Sequence, residues 1–190
     1  VPSVIPIMGH LGADIGIVHL DQLRVPDRQR LGPLHNGLSV AMDGVNAGRL
    51  SMAGSCVGIA RWALNQALAY VKIRKTFGRL IAEHQAVQIM LAECAMDIYA
   101  VKSMLRHCAW LIDEGRSATK EVSMAKACAT EMVSRVVDKA IQVHGAIGLT
   151  NELRLEEAYR WARVLRIPDG TAEIQRRTIA RRLLSGDTEI

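Results

Sequence analysis

Apolar residues recur at helical intervals along most of the chain. Between positions 82 and 114 the spacing alternates without a break between four and three residues, at positions 87, 91, 94, 98, 101, 105, 108 and 112. An apolar stripe of that period predicts a long helix with one buried face. The segments at about 118–144 and 45–73 show similar periodicity with smaller residues, which would let neighbouring helices approach closely.

Three such helices, of roughly 27 to 33 residues, would each be about 40 to 50 Å long at about 1.5 Å per residue. They bury their stripes only by packing side by side, and Gly78 and Gly115 fall where short turns between antiparallel neighbours are expected. Two shorter helices are predicted at about 151–165 and 171–185. We therefore predict an all-α fold, an up-and-down four-helix bundle over residues 35–190.

Residues 1–34 follow a different pattern. They contain prolines and glycines separated by short β-branched runs, such as positions 3–5 and 16–18. This composition is typical of strands and loops, and the segment is too short to form a core of its own. The change of pattern after residue 34 is the one domain boundary that the sequence predicts.

Composition narrows the function classes. The 190 residues are 49% hydrophobic and carry a net charge of +5, with basic residues interleaved among acids. This arrangement is typical of solvated helix faces, or of a few Arg side chains that bind the phosphates of a dinucleotide or of CoA. We expect no nucleic-acid binding, because the chain has only three Trp, three Tyr and one Phe for stacking. No apolar run reaches the roughly 20 residues of a membrane span.

The cysteines and histidines predict no metal site. Cys56, Cys94, Cys108 and Cys128 have no CxxC spacing and lie in apolar helical patterns, so we expect reduced core residues in a cytosol-like compartment. The six histidines form no His-Glu-x-x-His or Cys-His cluster. The start at Val1, with no secretory pattern, suggests processing or a fragment of a longer chain. We expect a cytoplasmic protein, or a mitochondrial-matrix or peroxisomal one in a eukaryote.

Three runs of residues resemble motifs of the acyl-CoA dehydrogenase family, in their order and spacing. They are Arg-Lys-Thr-Phe-Gly at 74–78 followed by His-Gln at 84–85, Gln-Val-His-Gly-Ala-Ile-Gly at 142–148, and Asp-Gly-Thr-Ala-Glu-Ile-Gln at 169–175. Val25-Pro26 before Gly32 resembles the exit from that family's middle β-domain. The resemblance covers essentially the whole chain. It implies that residues 1–34 are the end of the β-domain and a linker, and residues 35–190 the carboxy-terminal helical bundle.

The resemblance also implies an FAD site. Positions that contact FAD in the family are matched by Arg74, Thr76, Phe77, Gln85, Thr171 and Glu173. A second stretch, which approaches the FAD of a neighbouring subunit, is matched by Gln142, Gly145 and Ala146, where Ala146 replaces the family's second Gly. Taken without the resemblance, Arg74 is a cation at a helix end and Gly145 a helix C-cap.

A carboxylate of this family removes the α proton of the acyl-CoA while hydride leaves the β carbon for the flavin. Most members use the Glu of Glu-Gly-Thr, where this chain has Asp169-Gly170-Thr171, and the family's alternative Glu position is occupied by Gly48. The resemblance therefore implies Asp169 as the base, as in a subgroup of the family that has Asp there. Pro168-Asp169-Gly170 is also an ordinary turn signature.

Three residues are implied on the substrate side. Arg49 matches an Arg that holds the catalytic loop near the thioester, Asn46 stands where many members have an Asp for the adenine end of CoA, and Gly170 follows the base. From the pattern alone, Arg49 and Asn46 are equally explained as solvated helix residues.

The resemblance implies an FAD-dependent acyl-CoA dehydrogenase that is a dimer or tetramer and passes electrons to an electron-transfer flavoprotein. Two alternatives stay open. The chain could belong to a catalytically weak structural subunit of the same fold, because Asp169 is shorter than the usual Glu. It could also be an isolated helical interaction module.

Overall fold

The computed structural model describes residues 4–9 and 15–189. Five α-helices make up most of this part of the chain, which confirms the all-α class: α1 (Gly37–Tyr70), α2 (Gln85–Asp113), α3 (Thr119–His144), α4 (Leu155–Leu165) and α5 (Ala172–Leu184). Short 3₁₀ turns occupy Asp27–Gln29, Ile81–Glu83 and Gly145–Leu149.

Two small antiparallel ladders flank α1. Near the start of the chain, β1 (Val4–Ile5) pairs with β2 (Ile15–Gly16), with Val4 opposite Gly16. Between α1 and α2, β3 (Lys75–Thr76) pairs with β4 (Arg79–Leu80) as a hairpin. The strand predicted at 16–18 is therefore wrong beyond residue 16, since Ile17 and Val18 are exposed and unpaired in any ladder of the described residues.

Contacts between helices fix their directions. The ion pairs Glu93–Lys139 and Asp97–Arg135 join an early residue of α2 to a late residue of α3, so these two helices are antiparallel. Tyr70 stacks on His144 at the ends of α1 and α3, which therefore run the same way. Arg176 of α5 pairs with Glu131, and Lys120 at the start of α3 contacts Asp187 after α5, so α5 opposes α3. Helices α1, α2, α3 and α5 alternate in direction, as an up-and-down bundle requires.

Helix α3 lies at the centre of the bundle. Each of the other four helices contacts it, and its buried residues cover more than one face, among them Ala125, Ala129, Met132, Val133, Val136 and Val137. The sequence predicted a single buried face, which is wrong because α3 is surrounded rather than laid on a surface. Its small side chains permit close approach of the neighbouring helices. The bundle core thus forms around one helix.

Two further expectations differ from the structure. Helix α1 begins at Gly37 rather than near residue 45, because its first turns are exposed and carry no apolar stripe that would mark them. Cys128 is exposed, whereas Cys56, Cys94 and Cys108 are buried and all four are free thiols. The expectation of a buried Cys128 is wrong because its position on α3 turns away from the neighbouring helices.

Within residues 4–9 and 15–189, none of the helices has the length and apolar character needed to cross a bilayer. In the same part of the chain, no three His, Cys, Asp or Glu side chains come together in a way that could hold a metal ion.

The central position of α3 predicts how the core responds to truncation. Met132 is fully buried and Met96 on α2 is 71% exposed. Met132→Ala should lower the free energy of unfolding by about 2 to 5 kcal/mol, because it removes buried contacts and leaves a cavity. Met96→Ala is the matched control and should change it by less than about 0.5 kcal/mol. Urea unfolding checks both variants, and equal losses would contradict the central role of α3.

Candidate functional site

The link between α4 and α5 contains two consecutive residues with left-handed backbone. Asp169 has a φ of 54° and Gly170 a φ of 93°. Such a conformation is costly for a residue with a side chain, so Asp169 stays there only if its surroundings impose it. Both carbonyls of this turn point towards buried hydrogen-bond donors.

Three buried side chains from three helices hold the turn. Arg49 of α1 donates from Nε to the Asp169 carbonyl at 2.8 Å, and Lys126 of α3 donates from Nζ to the Gly170 carbonyl at 2.7 Å. Gln175 of α5 donates from Nε2 to both carbonyls, at 3.1 and 3.0 Å. Arg49 is 5% exposed and the other two are fully buried. These donors impose the conformation that Asp169 alone would not favour.

The Asp169 carboxylate lies over α1 at a glycine. A Cβ on Gly48 would be 2.7 Å from Asp169 Oδ2, which is closer than real Cβ contacts. A Cβ on Gly170 would be 3.2 Å from Nη2 of Arg49, and it would also be strained by the positive φ. The absence of side chains at these two positions therefore lets the carboxylate and the guanidinium lie where they do.

Asn46 orients Arg49. Its Oδ1 accepts a hydrogen bond from Nη1 of Arg49 at 3.0 Å, one turn earlier on α1. The turn residues and the two predicted substrate-side residues of α1 thus form one cluster, which we call the Asp169 cluster: Asn46, Gly48, Arg49, Lys126, Asp169, Gly170 and Gln175.

Burial and charge oppose each other in the Asp169 cluster. Burial lowers the pKa of Arg49, and the negative charge of Asp169 partly restores it. Burial also lowers the pKa of Lys126; Asp169 raises it, while the neighbouring Arg49 lowers it further. Two cations are therefore held in a place where the protein solvates them poorly, with Asp169 as their shared counter-charge.

Thr171 and Glu173 belong to the start of α5. Thr171 is the N-cap, and its hydroxyl accepts a hydrogen bond from the Ile174 backbone N–H at 3.5 Å. Glu173 is exposed in the first turn, and its pKa is lowered, chiefly by a hydrogen bond from the Thr171 side chain. Both residues follow the Asp169 turn directly in the chain, at the N-terminal end of α5.

The hairpin between α1 and α2 presents a different group of predicted residues. Phe77 and Gly78 form its two-residue turn, with φ values of 51° and 80°. Positive φ at both central residues is the pattern of a type I′ hairpin. The Phe77 ring is 97% exposed, although a ring of this size would normally be buried. Arg74 and Gln85 are also exposed at this end of the bundle.

His84 joins the two strands of this hairpin. Nδ1 lies 3.1 Å from Nη2 of Arg79, and Nε2 lies 3.1 Å from the Thr76 hydroxyl oxygen. Arg79 only donates, so Nδ1 accepts, and a neutral ring then donates from Nε2 to Thr76. This arrangement leaves the Thr76 hydroxyl hydrogen available to a ligand.

The third predicted group lies where α3 ends. Gln142 is on the last turn of α3, and Gly145 and Ala146 begin the 3₁₀ turn that follows; all three are exposed. Gly145 is the helix C-cap, as the residues alone predicted. This group lies at the same end of the bundle as the hairpin, because Tyr70 and His144 stack with ring centroids 4.5 Å apart.

The predicted residues therefore fall into two groups that are separated along α1. From Arg49 to Tyr70, α1 rises by about 32 Å at about 1.5 Å per residue. The Asp169 cluster is separated by this length from the hairpin residues and from the end of α3. The structure brings the base candidate together with the substrate-side residues, but not with the hairpin.

Comparison with known proteins identifies the family. The model of the acyl-CoA dehydrogenase C-terminal domain matches residues 35–184. The chain belongs to the acyl-CoA dehydrogenase family. It is 42% identical over 177 residues to a probable acyl-CoA dehydrogenase of Bacillus subtilis, covering 93% of this chain and 47% of the relative. It is 38% identical over 177 residues to a caffeyl-CoA reductase-Etf complex subunit of Acetobacterium woodii, with the same shares covered.

A solved structure shares the fold of this chain. PigA, in a structure with FAD and proline, superposes with a TM-score of 0.83 at 27% identity, over 86% of this chain and 43% of PigA. The chain spans about half the length of the curated relatives that it matches.

The hairpin residues fit a flavin dinucleotide. Phe77 offers a flat ring that is almost fully exposed, and Thr76 offers a hydroxyl donor that His84 orients. Arg74 offers an exposed guanidinium that makes no hydrogen bond or ion pair to a side chain within the described residues. An aromatic face and donors for phosphate oxygens are the groups that an adenine and a pyrophosphate require.

Sequence reasoning missed four residues of these sites. Lys126 and Gln175 hold the Asp169 turn, and Arg79 and His84 support Thr76. A signal for Lys126 was present, because it stands alone among the small apolar residues at 124–129 on a face that has to be buried. Gln175 ends the motif at 169–175, but its residue type gave no sign of burial, since a polar residue on a short polar helix is ordinary.

The close approach of Asp169 to Gly48 is testable by substitution. Gly48 and Gly54 both lie inside α1, and a Cβ on Gly54 would meet nothing within 4 Å. Gly54→Ala should raise the free energy of unfolding by about 0.5 to 1 kcal/mol, the usual gain in helix propensity. Gly48→Ala should give no gain or a loss, because the Asp169 carboxylate must move. Denaturant unfolding of both variants checks this, and an equal gain would mean that the carboxylate does not lie over Gly48.

Proposed function

We propose that this chain is the carboxy-terminal part of an FAD-dependent acyl-CoA dehydrogenase that desaturates an acyl-CoA between its α and β carbons, with Asp169 as the base. Membership of the family supports the reaction class. The observation that carries the role of Asp169 is the position of its carboxylate over Gly48, at 2.7 Å from where a Cβ would be.

Gly48 is the position where some relatives are expected to have the base on the first long helix. The contact between Asp169 and Gly48 means that a side chain from either position would enter the same space. In this chain Gly48 leaves that space to Asp169. The other carboxylate near the turn is Glu173, which is exposed at the start of α5. This geometry favours Asp169 as the base over the alternative that Asp169 serves only as a turn and cap residue.

The residues of the Asp169 cluster would have different roles in the reaction. The Asp169 carboxylate accepts the α proton, while Arg49 and Gln175 fix its backbone through the Asp169 carbonyl. Asn46 holds the Arg49 guanidinium in place at 3.0 Å. Holding the base within reach of the α carbon is the main contribution that such residues make to the rate.

FAD, when bound, would accept the hydride that leaves the β carbon. On this chain Thr171, next to the base, would contact the FAD that lies against Asp169, and Glu173, four residues after Asp169, would contact that FAD towards its adenine end. The exposed hairpin residues Arg74, Thr76 and Phe77, with Gln85, would contact the pyrophosphate and adenine side of an FAD. Gln142, Gly145 and Ala146 would approach the same kind of ligand from the end of α3.

The distance of about 32 Å along α1 supports an oligomer. The flavin that faces Asp169 and the adenine that faces Phe77 would belong to FAD molecules bound in different subunits, because the two groups of residues lie about 32 Å apart along one bundle. We therefore propose a homodimer or homotetramer. Transfer of electrons to an electron-transfer flavoprotein is supported by the relative that is named as a subunit of a reductase-Etf complex.

Removal of the base tests the proposal. In the complete FAD-loaded protein, Asp169→Asn should keep FAD and the turn but lose the proton acceptor. The rate of flavin bleaching on mixing with acyl-CoA in a single turnover should fall by about 100-fold to 10,000-fold. A panel of saturated acyl-CoA thioesters supplies the substrate, and the thioester that bleaches the parent fastest is used. Asp169→Glu is the matched control and should keep part of the rate.

Three results would count against this function. If the Asn variant bleaches as fast as the parent, Asp169 is a turn residue only; if the parent itself bleaches slowly with every thioester, the protein is better described as the catalytically weak subunit. If the complete parent protein carries no flavin, the helical interaction module is the better description.

The hairpin role predicts a loss of FAD without a loss of fold. Phe77 is 97% exposed and Tyr99 on α2 is 74% exposed. Phe77→Ala should weaken FAD binding by about tenfold, because stacking on an aromatic ring contributes on the order of 1 to 1.5 kcal/mol. Tyr99→Ala removes a similarly exposed ring and should leave FAD binding unchanged. Fluorescence titration of the apoprotein with FAD measures both, and thermal unfolding should be the same for both variants. If Phe77→Ala binds FAD as tightly as the parent protein, Phe77 does not contribute to the FAD site.

A further inference from the structure

Two lysines are buried in α3, and they have very different surroundings. Lys120 contacts several acceptors of the chain's last residues: the Asp187 carbonyl and carboxylate, the Glu189 carbonyl and, within its own helix, the Glu121 carboxylate. The Lys126 ammonium donates one hydrogen bond within the described part of the chain, to the Gly170 carbonyl. Lys126 is fully buried, whereas an ammonium group has three donors.

This difference has energetic consequences. The carboxylate of Asp187 is the largest cause of a raised pKa for Lys120, so its charge is favoured in the folded protein. The pKa of Lys126 is lowered, because burial outweighs the attraction of Asp169. A buried charge with one acceptor is a poor source of stability, and an apolar side chain of similar length often serves as well or better.

The fold does not need Lys126 to satisfy the Gly170 carbonyl. Gln175 already donates to that carbonyl at 3.0 Å, but its single amide group is shared with the Asp169 carbonyl at 3.1 Å. The 2.7 Å bond from Lys126 is the shortest of those that hold the turn, and it is the one that comes from the central helix. Lys126 therefore restrains the turn from α3 through the Gly170 carbonyl, whereas Arg49 restrains it from α1 through the Asp169 carbonyl.

We propose that Lys126 is a positioning residue for Asp169: its ammonium group fixes the Gly170 carbonyl so that the Asp169 carboxylate stays over Gly48. This inference rests on the proposed function. The two neighbouring left-handed residues of the turn would otherwise relax towards commoner backbone conformations, and the carboxylate would move with them. The charge of Lys126 is thus kept for the geometry of the base rather than for the stability of the fold.

The test compares Lys126→Met with Lys120→Met in the complete FAD-loaded protein. Both changes remove a buried ammonium group from α3 and leave an apolar chain of similar length. In Lys126→Met the rate of flavin bleaching in a single turnover should fall by about tenfold or more, the effect of a misplaced base. FAD binding and the dissociation constant for acyl-CoA should stay within about twofold, and the urea midpoint should be unchanged or higher. Lys120→Met should show the reverse, with a lower urea midpoint and a bleaching rate within about twofold of the parent.

The pH dependence of stability gives a second readout that does not depend on activity. Because the pKa of Lys126 is lower in the folded protein than in the unfolded chain, the unfolded chain binds more protons in the interval between the two values. The parent should therefore gain stability as the pH rises through that interval towards the ordinary lysine value. Lys126→Met lacks this change, so any advantage of the variant over the parent should shrink as the pH rises. Lys126→Arg, which keeps a cationic donor, should recover part of the bleaching rate.

Several results would overturn the inference. If Lys126→Met bleaches as fast as the parent while Asp169→Asn is slow, the proposed function stands and Lys126 has no positioning role. If Lys126→Met unfolds at a lower urea midpoint by as much as Lys120→Met, or fails to fold, the lysine is structural. If Asp169→Asn itself is as fast as the parent, the proposed function fails and the inference fails with it.

Discussion

The conformation of the Asp169–Gly170 turn depends on the convergence of buried donors on its two carbonyls. Arg49, Lys126 and Gln175 come from three different helices, at distances of 2.7 to 3.1 Å. Each carbonyl receives two of these bonds, because Gln175 serves both. Because Asp169 has an unfavourable positive φ, the turn keeps its conformation only while the helices that carry these donors stay packed together. A shift of α1, α3 or α5 would reach the turn through one of these hydrogen bonds.

The central helix α3 connects this site to the rest of the fold. It contacts every other helix and carries Lys126 in the same buried surface as Met132 and Val133. A rigid, close-packed interior transmits small displacements instead of absorbing them. The site is therefore built on the most buried element of the structure, and the hairpin with its exposed Phe77 lies at the other end of the neighbouring helix α1.

Periodicity was sufficient to predict the helices and the all-α class, because long amphipathic segments have a strong 3.6-residue signal. It failed where packing departs from a simple stripe: at the exposed start of α1, at Cys128, and over the several buried faces of α3. Motif resemblance named Asp169, Arg49 and Asn46, but it assigned no role to Lys126 or Gln175. Lys126 and Gln175 both donate to the Gly170 carbonyl, from 44 and 5 positions away in the sequence. The contact with Lys126, which has the larger sequence separation, exists only after the chain has folded.

As the base, the Asp169 carboxylate would have to face the α carbon of a bound acyl-CoA. A crystal structure of the complete FAD-loaded protein with an acyl-CoA analogue that cannot lose hydride would measure this distance. We expect an Asp169 oxygen roughly 3 to 3.5 Å from the α carbon, the range of a near-attack geometry. The carbonyls of 169 and 170 should still be hydrogen-bonded to Arg49, Lys126 and Gln175. An α carbon that lies closer to another carboxylate, or an Asp169 turned away from the thioester, would contradict it.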